Sequence, residues 1–299
     1  MRYVIINTGD EMKKIILLFL LIPALCGCAV QSVTLPAQPR YSPGEEMHIV
    51  YPQLEYGYSS LVKTPEGKNI LIGCGSKKDF PKLYELLRSR DVISIDVVII
   101  ASDNEENLGG LQNLLSNFEV SEVYVSDGIK NLDNIRNLCL ANSAKVTELY
   151  MVAEGTRIYE EDYISLDVLS SRMCDTPNGK KSAMSMYLVY KDNAVFFEGD
   201  GDFVAERNII ATMGDDIQAD IISVPHSATA YLPSKELLDK VKPKYAVLPV
   251  YNGNYPMMHL EKLLREKGIE AIRTDTEGDV IFLMDGVNIK YHIQKETVQ

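Results

Sequence analysis

One stretch, residues 95–111, constrains the fold of this chain more than any other. Residues 97–100 read Val-Val-Ile-Ile, an uninterrupted apolar run that predicts a strand buried on both faces of a sheet. A polar loop follows, and Gly109 and Gly110 then open a predicted helix. Because α/β proteins build their sites at the carboxyl ends of buried parallel strands, this loop indicates where a functional site lies.

Composition sets broad limits on the class of protein. With 299 residues, of which 46% are hydrophobic, the chain can bury a large core as one domain or as two small ones. The formal net charge is −12 and the isoelectric point is about 4.9. This charge argues against strong nonspecific binding to nucleic acid, because phosphate recognition depends on fields of Lys and Arg.

The N-terminus has the pattern of a bacterial lipoprotein signal. Lys13 and Lys14 precede the short apolar run 15–24, and Leu-Cys-Gly-Cys at 25–28 ends it. The pattern predicts a start at Met12 and lipidation of Cys28, which would anchor the protein to the membrane on the outer side of a bacterial cell. Residues 29–46, rich in proline, would form the linker to a domain at 47–293. A buried N-terminal helix or strand is the alternative.

The rest of the chain twice runs from short strands into alternating strands and helices. Strands are predicted at 48–51, 59–63, 69–72, 95–100, 122–125, 146–152, 156–159, 163–169, 186–190, 194–197, 219–224, 245–249, near 271 and at 280–284. Helices are predicted at 80–90, 108–118, 131–141, 203–213, 234–241 and 257–267. Two sheets packed face to face, each with helices outside, would bury all of these apolar faces in one α/β domain.

Several separate segments resemble one known family in their order along the chain. They are residues 59–75, 95–111, 196–200, 223–227, 242–247 and 273–275. Together these segments resemble the metallo-β-lactamase fold, and most of all the extracellular hydrolase domain of ComEC-type DNA-uptake proteins. The resemblance covers about residues 46–285 and implies a four-layer αββα sandwich. It also implies a metal-dependent hydrolase, because family members hold two metal ions, usually zinc.

The metal-binding loop departs from the family's pattern, which is written T-H-x-H-x-D-H-x-G-G. In this chain, the positions that match the Thr, the first two His, the Asp and the third His of this pattern are, in that order, Ala101, Ser102, Asn104, Glu106 and Asn107. The loop contains no histidine, and neither a Ser hydroxyl nor an Asn amide binds zinc as imidazole does. A further family aspartate, in a strand-end L-I-D-G-G, is replaced by Gly73.

The number of histidines argues against a paired zinc centre. A family site of this kind uses about five histidines, and the chain has four, at 48, 226, 259 and 292. The resemblance places only His226 at a metal-loop position, and it matches Asp200 to the family's metal-bridging aspartate. We therefore expect no metal cofactor, with zinc or manganese at Asp200, His226 and Glu106 as the alternative.

Each of the surviving positions also has a structural interpretation. Asp200 follows a predicted strand, where an Asp often caps the next turn, and the alternative to a ligand role for His226 is a hydrogen-bonded loop histidine. His259 fits an early position on a helix face better than a site position.

Acidic residues near the loop suggest a different kind of metal site. Asp103, Glu105, Glu106, Asp200 and Asp202 could supply oxygen ligands to Mg²⁺, Mn²⁺ or Ca²⁺, and such an ion could activate water for phosphodiester cleavage. Nothing in their spacing forces these carboxylates to converge. We therefore favour a solvated polar turn, in which Glu105 and Glu106 stabilise a helix N-terminus.

Two functional hypotheses follow. In the first, which we favour, the chain is a membrane-anchored, non-catalytic binding or scaffold module on a hydrolase fold, with a ligand or protein partner that the sequence does not identify. In the second, it is a phosphodiesterase-like hydrolase with a reduced metal site around Asp200 and His226. The positions of Asp200, His226, Glu106 and Asn107 relative to one another should distinguish the two.

Overall fold

The computed structural model describes residues 46–142, 146–176, 179–224, 232–249 and 258–295. The predicted signal at 1–28 and nearly all of the linker therefore lie outside the described residues. The strands are β1 (Met47–Tyr51), β2 (Ser60–Lys63), β3 (Asn69–Ile72), β4 (Ser94–Ile100), β5 (Glu119–Ser126), β6 (Val146–Val152), β7 (Arg157–Glu161), β8 (Ile164–Thr176), β9 (Gly179–Tyr190), β10 (Asn193–Phe197), β11 (Ile221–Ser223), β12 (Tyr245–Leu248), β13 (Glu270–Arg273), β14 (Asp279–Met284) and β15 (Ile289–Gln294).

The helices occupy the connections between strands. They are α1 (Phe80–Ser89), α2 (Glu105–Leu108), α3 (Leu111–Asn117), α4 (Leu132–Ala141), α5 (Phe203–Met213), α6 (Lys235–Val241), α7 (Met258–Glu266) and α8 (Thr274–Glu277). None of the helices in the described ranges is long and apolar enough to cross a membrane.

The strands form two sheets that pack face to face. One has the order β15-β14-β1-β2-β3-β4-β5-β6, and the other has the order β13-β12-β11-β10-β9-β8-β7. The main core lies between them and includes Ile99, Leu188 and Phe282, all fully buried. The α1, α3 and α4 helices cover the outer face of the first sheet, and α5, α6 and α7 cover that of the second. The αββα arrangement predicted from the sequence is confirmed.

The β4 strand shows why its sequence is apolar throughout. Val97 and Ile99 point into the core between the sheets, whereas Val98 and Ile100 pack under the helices of the outer layer. A strand between two layers needs apolar side chains on both faces. The prediction of a doubly buried strand at 97–100 is confirmed.

Strand directions define two edges of the sandwich. The β3, β4, β5 and β6 strands run parallel to one another, as do β10 to β13 in the second sheet. We call the edge at which β4 and β10 end the site edge. The opposite edge, at which β1, β4 and β10 begin, is called the entry edge, because the chain enters the domain there at Met47.

Several elements differ from the predictions, and α8 and β15 were not predicted. The helix predicted at 108–118 begins at Leu111, and residues 105–108 form the separate short helix α2. Between the two helices, a Cβ at Gly110 would lie 2.1 Å from the Cys74 carbonyl oxygen. The β8–β9 hairpin is also much longer than the strands predicted at 163–169 and 186–190. Its polar extension is supported by contacts outside the hairpin, such as the hydrogen bond from the Ser171 hydroxyl to the Asp127 carboxylate (2.7 Å).

Candidate functional site

The loop after β4 is a compact, capped turn. Asn104 is the N-cap of α2, and its side-chain oxygen accepts a hydrogen bond from the main-chain N–H of Asn107 at 3.0 Å. The Asn107 side-chain oxygen in turn accepts from the Ser102 N–H at 3.2 Å. Glu105 and Glu106 lie in the first turn, where the helix dipole favours negative charge. The loop therefore has the local structure expected for the polar turn.

Asp200 reaches this loop from the other sheet. It follows β10, and only 3% of its surface is exposed. Its Oδ2 accepts a hydrogen bond from the Asn104 side-chain amide at 2.8 Å and lies 3.5 Å from the Tyr58 hydroxyl, which donates to it. The helix cap is Asp202, which accepts from the Ala205 N–H at 2.9 Å, so the interpretation of Asp200 as a cap was wrong.

Gly73 lies beside the same loop, at the end of β3. Its φ angle of +76° is one that glycine adopts readily, and a Cβ there would lie 2.6 Å from the Asn107 side-chain nitrogen. The amide of Asn107 therefore fills the space that a side chain at position 73 would need. Ser102 and Asn107 are both buried, and the Ser102 hydroxyl has no hydrogen-bond partner among the described residues.

The acidic residues considered as ligands for a hard cation point to different partners. Asp103 accepts from the Ser182 N–H in β9 at 3.1 Å, Glu105 accepts from the Lys77 N–H at 3.2 Å, and Asp202 caps α5. Within the described ranges, no group of three or more His, Cys, Asp or Glu side chains is placed to hold a metal ion. The hard-cation cluster suggested by the sequence is therefore not formed by these residues.

The histidines that the structure describes lie in three separate elements of the fold. His48 is in β1 and His292 in β15, and His259 is an exposed residue in the first turn of α7, as its helix-face interpretation predicted. His226 lies outside the described residues. Both interpretations of His226, as a metal ligand and as a loop histidine, therefore stay predictions.

Tyr58 is a site residue that the sequence analysis missed. Its N–H donates to the Glu106 carbonyl at 3.0 Å, and its hydroxyl faces Asp200. Burial and the negative charges of Asp200 and Glu106 raise the pKa of the Tyr58 hydroxyl well above its usual range. The phenol therefore stays protonated and donates to Asp200. No local sequence signal marks Tyr58, because its partners are distant in the chain.

A buried pair of carboxyl groups lies next to Asp200, and the sequence analysis missed it as well. Glu198, at the end of β10, lies close to Glu206 in the first turn of α5. Both Glu206 oxygens also accept from the Ser234 N–H, at 3.0 and 3.3 Å. Burial, and then the negative charge of Glu206, raise the pKa of Glu198 well above its usual range, which favours its protonated form.

The donor set at the site edge does not fit a binuclear zinc centre. Around Asp200 the described residues offer amide and phenol N–H and O–H groups, which stabilise a carboxylate by hydrogen bonding. The Gly73 position, where the family pattern has an aspartate, is filled by the Asn107 amide. The arrangement stabilises a buried carboxylate with uncharged donors.

Comparison with known proteins agrees with this fold. No family model matches the chain. Among curated proteins, the chain is similar to ComE operon protein 3 of Bacillus subtilis, with 19% identity over 201 residues. That similarity covers 66% of this chain and 26% of the relative, so the chain spans about a quarter of the relative's length.

Two solved structures have a similar architecture. The metallo-β-lactamase fold protein YhfI of Bacillus subtilis has a TM-score of 0.57 at 10% identity, with 82% of this chain and 100% of YhfI covered. Zn²⁺-bound PqqB from Methylobacterium extorquens has a TM-score of 0.52 at 8% identity, with 76% of this chain and 98% of PqqB covered. The resemblance proposed from the sequence is confirmed at the level of the fold.

Asn104→Asp tests the hydrogen bond to Asp200. The new carboxylate keeps the helix-cap acceptor but faces Asp200 with a like charge. We expect unfolding free energy at about pH 8 to fall by about 2–3 kcal/mol. Because the like charge raises the pKa of the pair in the folded state, the loss should shrink at about pH 5, where one carboxyl holds a proton and donates. Chemical denaturation at about pH 8 and at about pH 5 measures this loss of unfolding free energy.

The control for this experiment is Asn117→Asp, at an exposed amide that donates only to the Asn113 carbonyl. It should change stability little at either pH. An equal loss of unfolding free energy for Asn104→Asp at both pH values, or no loss, would show that the Asn104 amide does not stabilise the Asp200 carboxylate.

Glu198→Gln tests the carboxyl pair. A glutamine amide can still donate to Glu206 but does not titrate. The raised pKa of Glu198 means that its contribution to stability is complete below the unfolded pKa and is lost as pH rises toward the folded pKa. Wild-type stability should therefore fall relative to the variant by about 1.4 kcal/mol per pH unit above about pH 5. Urea denaturation across a pH series measures this slope, and exposed Glu85→Gln is the control. Parallel curves for wild type and Glu198→Gln would contradict the raised pKa of Glu198.

Proposed function

We propose that this chain, which has the metallo-β-lactamase fold, is a non-catalytic binding or scaffold module held at a bacterial membrane by a lipid on Cys28. In this proposal the hydrolase architecture remains, and a network of neutral hydrogen-bond donors takes the place of the family's metal ions around Asp200.

The observation that carries the proposal is the orientation of the Asn104 amide. Its oxygen is used as the α2 cap and its nitrogen donates to Asp200, so turning the amide over would lose both hydrogen bonds. Where a family histidine would offer a lone pair, Asn104 therefore presents N–H hydrogens toward Asp200. A cation at this place would face the positive end of the amide dipole.

A reduced metal site is the second candidate. It is favoured by one observation, which is that Asp200 and Glu106 both lie close enough to the Tyr58 hydroxyl to raise its pKa. Two carboxylates near one point could serve a hard cation, with His226 as a further ligand. This candidate predicts a metal-dependent hydrolase, with a phosphodiester as the substrate class.

Metal analysis and a hydrolysis assay decide between the two candidates. The full chain, purified without added metal, should contain zinc and manganese well below one ion per molecule. It should not hydrolyse bis(p-nitrophenyl) phosphate when Zn²⁺ or Mn²⁺ is added, because Asp200 is bound by protein donors. Metal content is measured by inductively coupled plasma mass spectrometry.

The informative variants for this assay are Asp200→Asn and Asp202→Asn. Asparagine also caps helices, so Asp202→Asn is a matched substitution two residues away that should keep the fold. Turnover that Asp200→Asn abolishes and Asp202→Asn preserves would establish the enzyme and reject the binding module.

The proposed anchor is supported by the sequence at residues 13–28, where a Lys pair, a short apolar run and Leu-Cys-Gly-Cys stand in the order of a lipoprotein signal. The thiol of Cys28 would receive the lipid. A single acyl chain gives weak membrane binding, whereas several acyl chains on one residue give stable anchoring.

Cys28→Ala tests the anchor in cells. In a bacterial host, the wild-type chain should fractionate with membranes and Cys28→Ala should not gain a lipid, as measured by incorporation of radiolabelled palmitate. Cys26→Ala is the control, because it removes a neighbouring thiol and leaves the Gly-Cys step intact. Equal labelling of the two variants would contradict lipidation at Cys28.

A further inference from the structure

We infer that the entry edge of the domain rests on the lipid bilayer, so that the site edge faces away from the membrane. The inference rests on the lipid anchor of the proposed function and adds an orientation and a contact surface to it. The surface is formed by Ile93, Tyr163 and Val287, and the partner is the headgroup region of a bilayer.

The first argument is where the chain enters the domain. The β1 strand begins at Met47, which pairs with Met284 at the end of β14. Tyr51, at the other end of β1, pairs with Val280, and Gln53 beyond it hydrogen-bonds to Asp279 at 2.8 Å. The described chain therefore starts at the entry edge and runs toward the site edge. A lipid on Cys28, joined through residues 29–45, holds the entry edge nearer to the membrane.

The second argument is where exposed apolar side chains lie. Ile93 is 75% exposed, Val287 is 63% exposed and Tyr163 is 44% exposed. Ile93 directly precedes β4, Tyr163 is in the β7–β8 turn and Val287 is in the β14–β15 turn. Because β4 begins at the entry edge and both turns join strands at that edge, all three side chains lie there. Phe203 and Val204, at the start of α5, are 48% and 51% exposed at the site edge, so exposed apolar side chains are not confined to the entry edge.

The turns that carry two of these side chains are linked across the two sheets by main-chain hydrogen bonds. The Lys191 N–H, in the β9–β10 turn, donates to the Tyr163 carbonyl at 3.0 Å. The neighbouring Asp192 N–H donates to the Gly286 carbonyl at 3.0 Å, and Gly286 precedes Val287. The turns that carry Tyr163 and Val287 are therefore held together by hydrogen bonds through a third turn.

The chemistry of these residues fits the bilayer interface. Tyrosine is enriched at membrane interfaces, where its ring contacts apolar matter and its hydroxyl stays in water. Isoleucine and valine side chains gain by leaving water when they reach the boundary between headgroups and acyl chains. Held close by a lipid, even a small apolar surface would be in contact with the bilayer for much of the time, because tethering raises its effective concentration there.

Tryptophan fluorescence tests the orientation, because the chain has no tryptophan of its own. Ile93→Trp, Tyr163→Trp and Val287→Trp each place one fluorophore at the entry edge. Phe203→Trp is the matched control at the site edge, where Phe203 is 48% exposed. Each full-length lipidated variant is reconstituted into phosphatidylcholine vesicles with and without brominated acyl chains, which quench tryptophan on contact. Circular dichroism checks that each variant is folded. Because three positions are tested independently, one variant that fails to fold still leaves two that report on the entry edge.

The expected result is a blue-shifted emission and a loss of intensity in brominated vesicles for the three entry-edge variants, with neither change for Phe203→Trp. Equal quenching at both edges, or quenching of Phe203→Trp alone, would overturn the orientation while the anchor stands. A chain that does not float with vesicles in a density gradient would instead overturn the anchor, and the orientation with it.

Discussion

The hydrogen bond from Asn104 to Asp200 is the interaction on which the site depends. It joins the loop after β4 to the loop after β10, and so connects the two sheets at the edge where both strands end. The same Asn104 side chain caps α2. Because the Asn104 side chain makes both hydrogen bonds, the fold of the loop and the stabilisation of the Asp200 carboxylate are coupled.

Around Asp200, uncharged residues stand where the family pattern has an aspartate and histidines. A cluster of buried carboxylates is stable only when cations or protons offset its charge. The described site has glycine at 73 and amides at 104 and 107, and the space beside Gly73 is filled by the Asn107 amide. Next to it, burial and then the negative charge of Glu206 raise the pKa of Glu198. In the proposed function, hydrogen-bond donors around Asp200 take the place that metal ions have in the family.

Much of the fold and part of the site could be predicted from the sequence. The apolar run at 97–100 revealed a strand buried on both faces, and the absence of histidine from the loop indicated an altered site. Other features depend on partners far away in the chain. Tyr58 and Glu206 act through Asp200 and Glu198, and no local pattern shows those contacts. Asp200 and Asp202 are separated by one glycine, so sequence alone did not show which of them caps α5. The β8–β9 hairpin is long because residues outside it support its polar strands.

The most direct measurement of the central claim is a crystal structure of the full chain grown with excess zinc, with diffraction data collected at the zinc absorption edge. The account predicts that Asn104 still donates to Asp200 and that no anomalous density lies within bonding distance of the Asp200 carboxylate. A zinc peak bonded to Asp200, with the Asn104 amide turned away from it, would contradict the account.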